Sequence, residues 1–239
     1  MKRTFLLMLL FAAFPAACLG GAYDLDIIDT PKAYTPFRGD MHFRFSIYDQ
    51  GGILTSALLG VSDHVFLGIY FDAGRFIGSE EVQMSPPGVL ARFLITDGMT
   101  TALPAIAVGY SYFMQGEASK IDGVIVSGLY LVASHRYFLF RSEQNFSYGL
   151  RYPVIPFSHA QPENITAFAG TDIELSPAFS LKGEMENIRF VQDTWQEVFY
   201  NFGFSFNILE MVSLDLAFKY SPAQDTLIRH LTIGYYTQF

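Results

Sequence analysis

The chain has little that would suit a soluble enzyme or a nucleic-acid partner. Charged residues make up only 16% of its 239 positions, and 15 Lys and Arg against 23 Asp and Glu leave a net charge of -8. Neutralising phosphates needs clustered cations, and no basic stripe occurs, so nucleic acid is excluded as a partner. There is one cysteine, Cys18, which leaves the rest of the chain without disulfide or thiol chemistry. Beyond residue 22 every apolar run is broken within a few residues by Gly, Pro or a polar group. No stretch there reaches the ~20 apolar residues of a membrane helix, so helical spanning is excluded.

Catalytic and metal motifs are missing as well. The five histidines, His42, His64, His135, His159 and His230, are scattered, with no HExxH, no GxSxG and no metal-ligand spacing. No catalytic residue, metal or cofactor is therefore assigned. His42 and His230, expected to face inward on the first and last strands, are candidates for a pair. Glu80-Glu81 in an outer loop and Glu184-Met185-Glu186 at a strand end read as solvated charge clusters, and Asp63-His64 and Ser134-His135 as turns.

What the chain has in abundance is grease of a particular kind. Hydrophobic residues reach 51%, with 24 Phe and 14 Tyr, and the mean hydropathy is +0.26. That is more apolar aromatic surface than a water-soluble exterior hides. Residues 1–22 read as a signal peptide, with Lys2 and Arg3 at the start, an apolar stretch from Phe5 to Ala17, and Gly20-Gly21-Ala22 at the cleavage site. Cys18 lies inside this segment, either discarded with it or lipidated as a new N-terminus. Residues 23–38 follow as a periplasmic lead segment.

From residue 39 the pattern has period two, as the alternating faces of a strand require. Phe43, Phe45 and Ile47 alternate with Arg44, Ser46 and Tyr48; Phe202, Phe204 and Phe206 alternate with Gly203, Ser205 and Asn207. Twelve strands are predicted, at 39–48, 53–61, 65–73, 88–95, 104–113, 123–133, 136–150, 164–174, 178–186, 198–208, 211–220 and 227–239, with ten possible if 88–95 and 178–186 are loop. Short connections at 62–64, 134–135, 175–177 and 209–210, with a longer one at 96–103, alternate with mostly longer ones at 49–52, 74–87, 114–122, 151–163, 187–197 and 221–226. Short inner turns and longer outer loops belong to a bacterial outer-membrane β-barrel, antiparallel and up-and-down. The expected architecture is such a barrel over residues 39–239. Tyr70, Tyr110, Tyr112 and Tyr220 suit interfacial girdles.

The end of the chain agrees with this. Leu231, Ile233, Tyr235 and Phe239 share one face and the chain stops on an aromatic. Barrels of the outer membrane commonly end this way, so Tyr235 and Phe239 are assigned as the insertion signal read by the barrel-assembly machinery. The opposite face of the strands carries Arg44, Arg92, Lys182, Glu184, Asp215 and Lys219, mixed in sign, as the lumen-facing candidates.

Leu103-Pro104-Ala105-Ile106-Ala107-Val108-Gly109 and Leu129-Tyr130-Leu131-Val132-Ala133-Ser134-His135-Arg136, together with the lead-in Asp29-Thr30-Pro31-Lys32-Ala33, carry a further likeness. They resemble the YjbH-like family, of which this chain would be a short, divergent member. The resemblance implies an outer-membrane barrel or lipoprotein linked to exopolysaccharide, and brings no catalytic residues with it.

The function expected from these features is a narrow, porin-like channel or export component for hydrophilic solutes or exopolysaccharide, partnered by outer-membrane lipid. The alternatives are a structural or surface-interaction barrel with a closed lumen, filled by paired charges, side chains or residues 23–38, and a barrel hydrolase.

Overall fold

The computed structural model describes residues 24–98, 103–112, 128–139, 142–152, 165–189, 198–209, 211–222 and 225–239. Within them, β-branched and aromatic residues alternate with small or polar ones over spans of eight to thirteen residues, which favours extended pairing over helix. The strands are β1 (Asp40–Tyr48), β2 (Gly52–Ser62), β3 (Val65–Gly74), β4 (Gln83–Met84), β5 (Gly88–Thr96), β6 (Ala105–Tyr112), β7 (Gly128–Leu139), β8 (Ser142–Tyr152), β9 (Thr166–Ser176), β10 (Phe179–Arg189), β11 (Phe199–Leu209), β12 (Val212–Ser221) and β13 (Thr226–Gln238).

Each long strand pairs antiparallel with its sequence neighbour, and β1 pairs with β13 to close the sheet on itself. β4 adds two residues at the rim beside β3. The other twelve strands form a closed up-and-down barrel, and both spans whose strand character was in doubt, at β5 and β10, are part of the wall. Closure removes every unpaired sheet edge. The closing register runs from Asp40↔Gln238 to Tyr48↔His230. The Phe239 amide donates to the Gly39 carbonyl at 3.1 Å, which fastens the chain end to the start of β1. No described helix is long and apolar enough to cross a membrane.

The outer face is apolar and bare. Phe45, Leu67, Phe93, Leu131, Phe202 and Ile233 all stand exposed on it. Tyr235 is on this face, and Phe239 is 87% exposed at the chain end. In water such a surface is unfavourable over its whole circumference; against hydrocarbon it costs nothing.

Three expectations are corrected. Ser134-His135 is not a turn: β7 runs on unbroken until Leu139 faces Ser142, so the boundary between the seventh and eighth strands lies six residues later. Tyr70 is no girdle residue; it shares the inner face of β3 with Phe66 and Asp72 and is buried. His42 and His230 do not pair. The register sets His42 against Tyr236 and His230 against Tyr48, so the two imidazoles sit at opposite ends of the β1–β13 seam. Each packs on a tyrosine ring instead, with centroids 4.6 Å and 5.8 Å apart.

Candidate functional site: the lumen and the segment within it

The inner face collects the polar residues of the alternation, and the lead segment lies among them. Residues 24–33 are buried or half-buried between strands from opposite sides of the wall. The segment doubles back on itself: the Ile27 amide donates to the Thr30 carbonyl at 2.8 Å and the Lys32 amide to the Leu25 carbonyl at 3.0 Å. Asp26 and Pro31 face each other across this narrow hairpin. From Pro36 the chain leaves towards the β2–β3 turn, where the Thr35 hydroxyl donates to the Asp63 carbonyl at 2.9 Å, before entering β1. Of the two places expected for the lead segment, the periplasmic side and the barrel interior, residues 24–34 take the second.

Five of the six lumen-facing candidates contact it, and Asp215 reaches it only through Lys182. Arg44 bridges Asp26 at 3.0 Å and Asp24 at 3.6 Å. Arg92 is fully buried; it bonds Asp26 at 2.8 Å and donates to the Leu25 and Tyr34 carbonyls at 2.9 and 3.2 Å. Its guanidinium also lies over the Phe66 ring, 4.7 Å from the centroid. Lys182 joins Asp24 of the segment to Asp215 of β12. Lys219 bonds Asp29 at 2.6 Å.

Glu184 does the most specific work. Its carboxylate accepts the successive amides of Ile28, Asp29 and Thr30 at 3.0, 2.9 and 2.9 Å, and the Asn201 side-chain amide at 2.6 Å. Three consecutive backbone N–H groups converging on one anion form a nest. Glu186, two residues on, accepts the Thr30 hydroxyl at 2.8 Å and pairs with Arg151 at 2.5 Å. Glu184 and Glu186 are therefore not a solvated cluster at a strand end but buried groups in the lumen. A β-bulge between Met185 and Ile188 turns Asn187 inward beside Glu186.

The other strand of the hairpin is held in the same way. Lys32 pairs with Asp172 on β9, both about 5% exposed. The Ala33 amide donates to the Ser134 hydroxyl at 2.8 Å, which itself meets Ser147 at 2.7 Å. Small residues make room: a Cβ on Gly170 would sit 2.8 Å from the Ile27 side chain, and one on Gly203 would sit 3.3 Å from that of Ile28.

Electrostatics set the sign of the fit. Burial alone would raise the Asp24 carboxyl, but Lys182, Lys32 and Arg44 outweigh it and hold the group down at about 2. Beside the hairpin remains a cavity of about 120 Å³, lined by Arg44, Arg92, Arg151, Lys182 and Lys219 against Asp24, Asp26, Asp29 and Asp215. Among the described residues no group of three or more His, Cys, Asp or Glu is placed to hold a metal. Cys18 and most of the three long outer connections, at 114–122, 151–163 and 187–197, lie outside the described residues.

Sequence reasoning found the six wall residues by parity but not the roles of Asp24, Asp26, Asp29, Lys32, Asp172 and Ser134. The available signal was charge complementarity: three carboxylates within six residues of the lead segment, facing four cations on the inner face.

No protein-family model matches the chain, and no curated protein matches it. Among solved structures it is similar to the Acinetobacter baumannii outer membrane protein Omp33, at 9% identity and a TM-score of 0.49, over 85% of this chain and 98% of that one. It is also similar to the KdgM porin, at 10% identity and a TM-score of 0.47, over 84% and 99% of the two chains. A mutant Rh. blastica porin aligns at 12% identity and a TM-score of 0.37, over 78% of this chain and 55% of that one. At such identities no residue's role passes from them to this chain.

Proposed function

We propose that the protein spans the bacterial outer membrane as a narrow channel for hydrophilic solutes, closed at rest by residues 24–36. The girdle of exposed apolar side chains supports the membrane placement, since a closed ladder with a greasy exterior satisfies its backbone without water. The observation that carries the channel is where the lumen charges find their partners. A filled lumen is common to a closed structural barrel and to a gated one; what favours the gate is how the filler is held. Here Arg44, Arg92, Lys219 and Glu184 are satisfied by a segment of chain that is not part of the wall. A filler held by ion pairs and hydrogen bonds is displaceable in a way that a packed apolar core is not.

The test is conductance in planar bilayers. The full chain gives rare, small openings, whereas Glu184→Ala, which strips the anion from three backbone amides, gives sustained current. Silence from Glu184→Ala, with folding shown by heat-modifiable migration on gels, overturns the channel and favours the structural barrel.

A further inference from the structure

The contacts that hold the hairpin are not those of a generic filler. They read two things at once, carboxylates spaced along a chain and the backbone that carries them. Asp24, Asp26 and Asp29 are each met by a cation of the wall: Lys182 with Arg44, Arg44 with Arg92, and Lys219. The backbone is met by Glu184 at three successive amides, by Arg92 at two carbonyls and by Ser134 at the Ala33 amide. The acceptors and donors belong to five different strands of the wall, β1, β5, β7, β10 and β12, so the site exists as a surface independent of the chain that fills it.

We infer that the lumen is a binding site for an acidic peptide, which residues 24–34 occupy in its place. The inference rests on the channel reading for its biological use, but the site itself does not depend on current. An acidic peptide fits better than an acidic polysaccharide because the wall spends a buried carboxylate on consecutive N–H donors. A sugar acid presents no such row, and would leave Glu184 facing its negative charge. Solutes of this class would compete with the segment for the same cations, so arrival of the ligand and withdrawal of the plug become one exchange rather than two events. Once Asp24, Asp26 and Asp29 have moved away, Arg44, Arg92 and Lys219 lose their carboxylate partners, while Lys182 keeps Asp215 and Arg151 keeps Glu186. Peptides with carboxylates two and three residues apart are favoured over neutral or basic ones.

The experiment uses the full chain carrying Asp24→Asn, Asp26→Asn and Asp29→Asn, which keeps the shape of the segment and removes its carboxylates from the wall's cations, weakening its hold. A fluorescein-labelled peptide with the sequence of residues 24–34 is titrated against it in detergent and followed by anisotropy. The variant binds the peptide saturably, and a peptide with Asn at all three Asp positions binds about a hundredfold more weakly, as loss of several buried charge pairs dictates. Adding Lys219→Ala and Arg92→Ala abolishes binding. Should the triple variant fail to fold, the unmodified chain serves, with the segment competing and the apparent affinity reduced accordingly. Equal displacement by dextran sulfate at the same charge concentration overturns the peptide site, as does equal binding of the Asn-substituted peptide. Bilayer current is recorded on the same preparations. Peptide binding without current defeats the channel and leaves the site standing, whereas current without binding defeats the site.

Discussion

The two faces of the wall are made by the same strands and differ by one residue in register, yet they obey different rules. On the outside, Phe45, Leu67, Leu131 and Ile233 share no specific partner; what matters is that they are apolar. On the inside, Arg44, Arg92, Lys182 and Glu184 are each matched to named atoms of a segment far away in the chain. The outer face responds to its solvent and the inner face to a ligand, even though that ligand is covalently attached. It follows that composition can change freely outside and hardly at all within.

Breaking the inner face should have the largest effect. Glu184→Ala leaves three amides, one buried and two half-buried, without an acceptor and costs the docked segment about 3–5 kcal/mol, the range for removing one partner of a buried ionic contact. Hydrogen exchange at Ile28, Asp29 and Thr30 measures it, and unchanged protection there contradicts the assignment. On the outer face, Leu131→Arg costs about 2–4 kcal/mol of barrel stability if that residue meets hydrocarbon near the midplane. Equilibrium unfolding in lipid vesicles reads the difference, and a neutral result removes the membrane-facing role. Lys219→Ala loses a single, partly buried contact to Asp29 and weakens docking by about 1–3 kcal/mol. The same exchange measurement should show protection lost around Asp29 and retained at Ala33, which is held by Ser134 on another strand. Smallest of all, Ile233→Leu should change unfolding by less than about 1.5 kcal/mol, since any apolar side chain serves there.

Acid offers a gentler way to separate the faces. Docking favours the ionised form of Asp24, whose carboxyl falls from 3.8 to about 2. Its contribution is therefore complete above pH 3.8 and is lost as the pH falls from there towards 2. The part of segment protection that Asp24 carries should hold steady between pH 7 and pH 5 and weaken below 4, while the outer face, which carries no charge at the positions named, shows no matching change. An acid profile below pH 4 that is the same in Asp24→Asn as in the unaltered chain contradicts the pairing of Asp24 with Lys182, Lys32 and Arg44.

The alternation of Phe43 and Phe45 with Arg44 told inside from outside before any coordinates, because period two is a local property of a strand. The same locality explains the errors. Ser134-His135 looks like a turn because Ser is a turn residue, but in this barrel the inner face is itself polar, and Ser134 is there to meet Ser147 and Ala33. Polarity within a strand and polarity at its end are alike in sequence. Glu184 and Glu186 look solvated because the cations near them in the chain, Lys182 and Arg189, are not their partners; the groups they accept from at residues 28–30 stand about 155 positions away. Parity alone places Tyr70 on the inner face, because Asp72, two residues on, shares that face and is buried with it. The residues that line the lumen were legible from parity alone. That they grip a hairpin was not, since neither half of such a contact has a local signature.

The central claim is that wall and segment are joined by specific charge pairs and that this union closes the pore. Lys32 and Asp172 form such a pair, buried on both sides, and exchanging their charges tests it directly in planar bilayers. Lys32→Asp alone and Asp172→Lys alone each place like charges together and should conduct persistently. The double exchange restores an opposite pair and should return the rare, small openings of the unaltered chain. If the double variant conducts as freely as either single one, or if neither single change opens the barrel, the segment is not the gate.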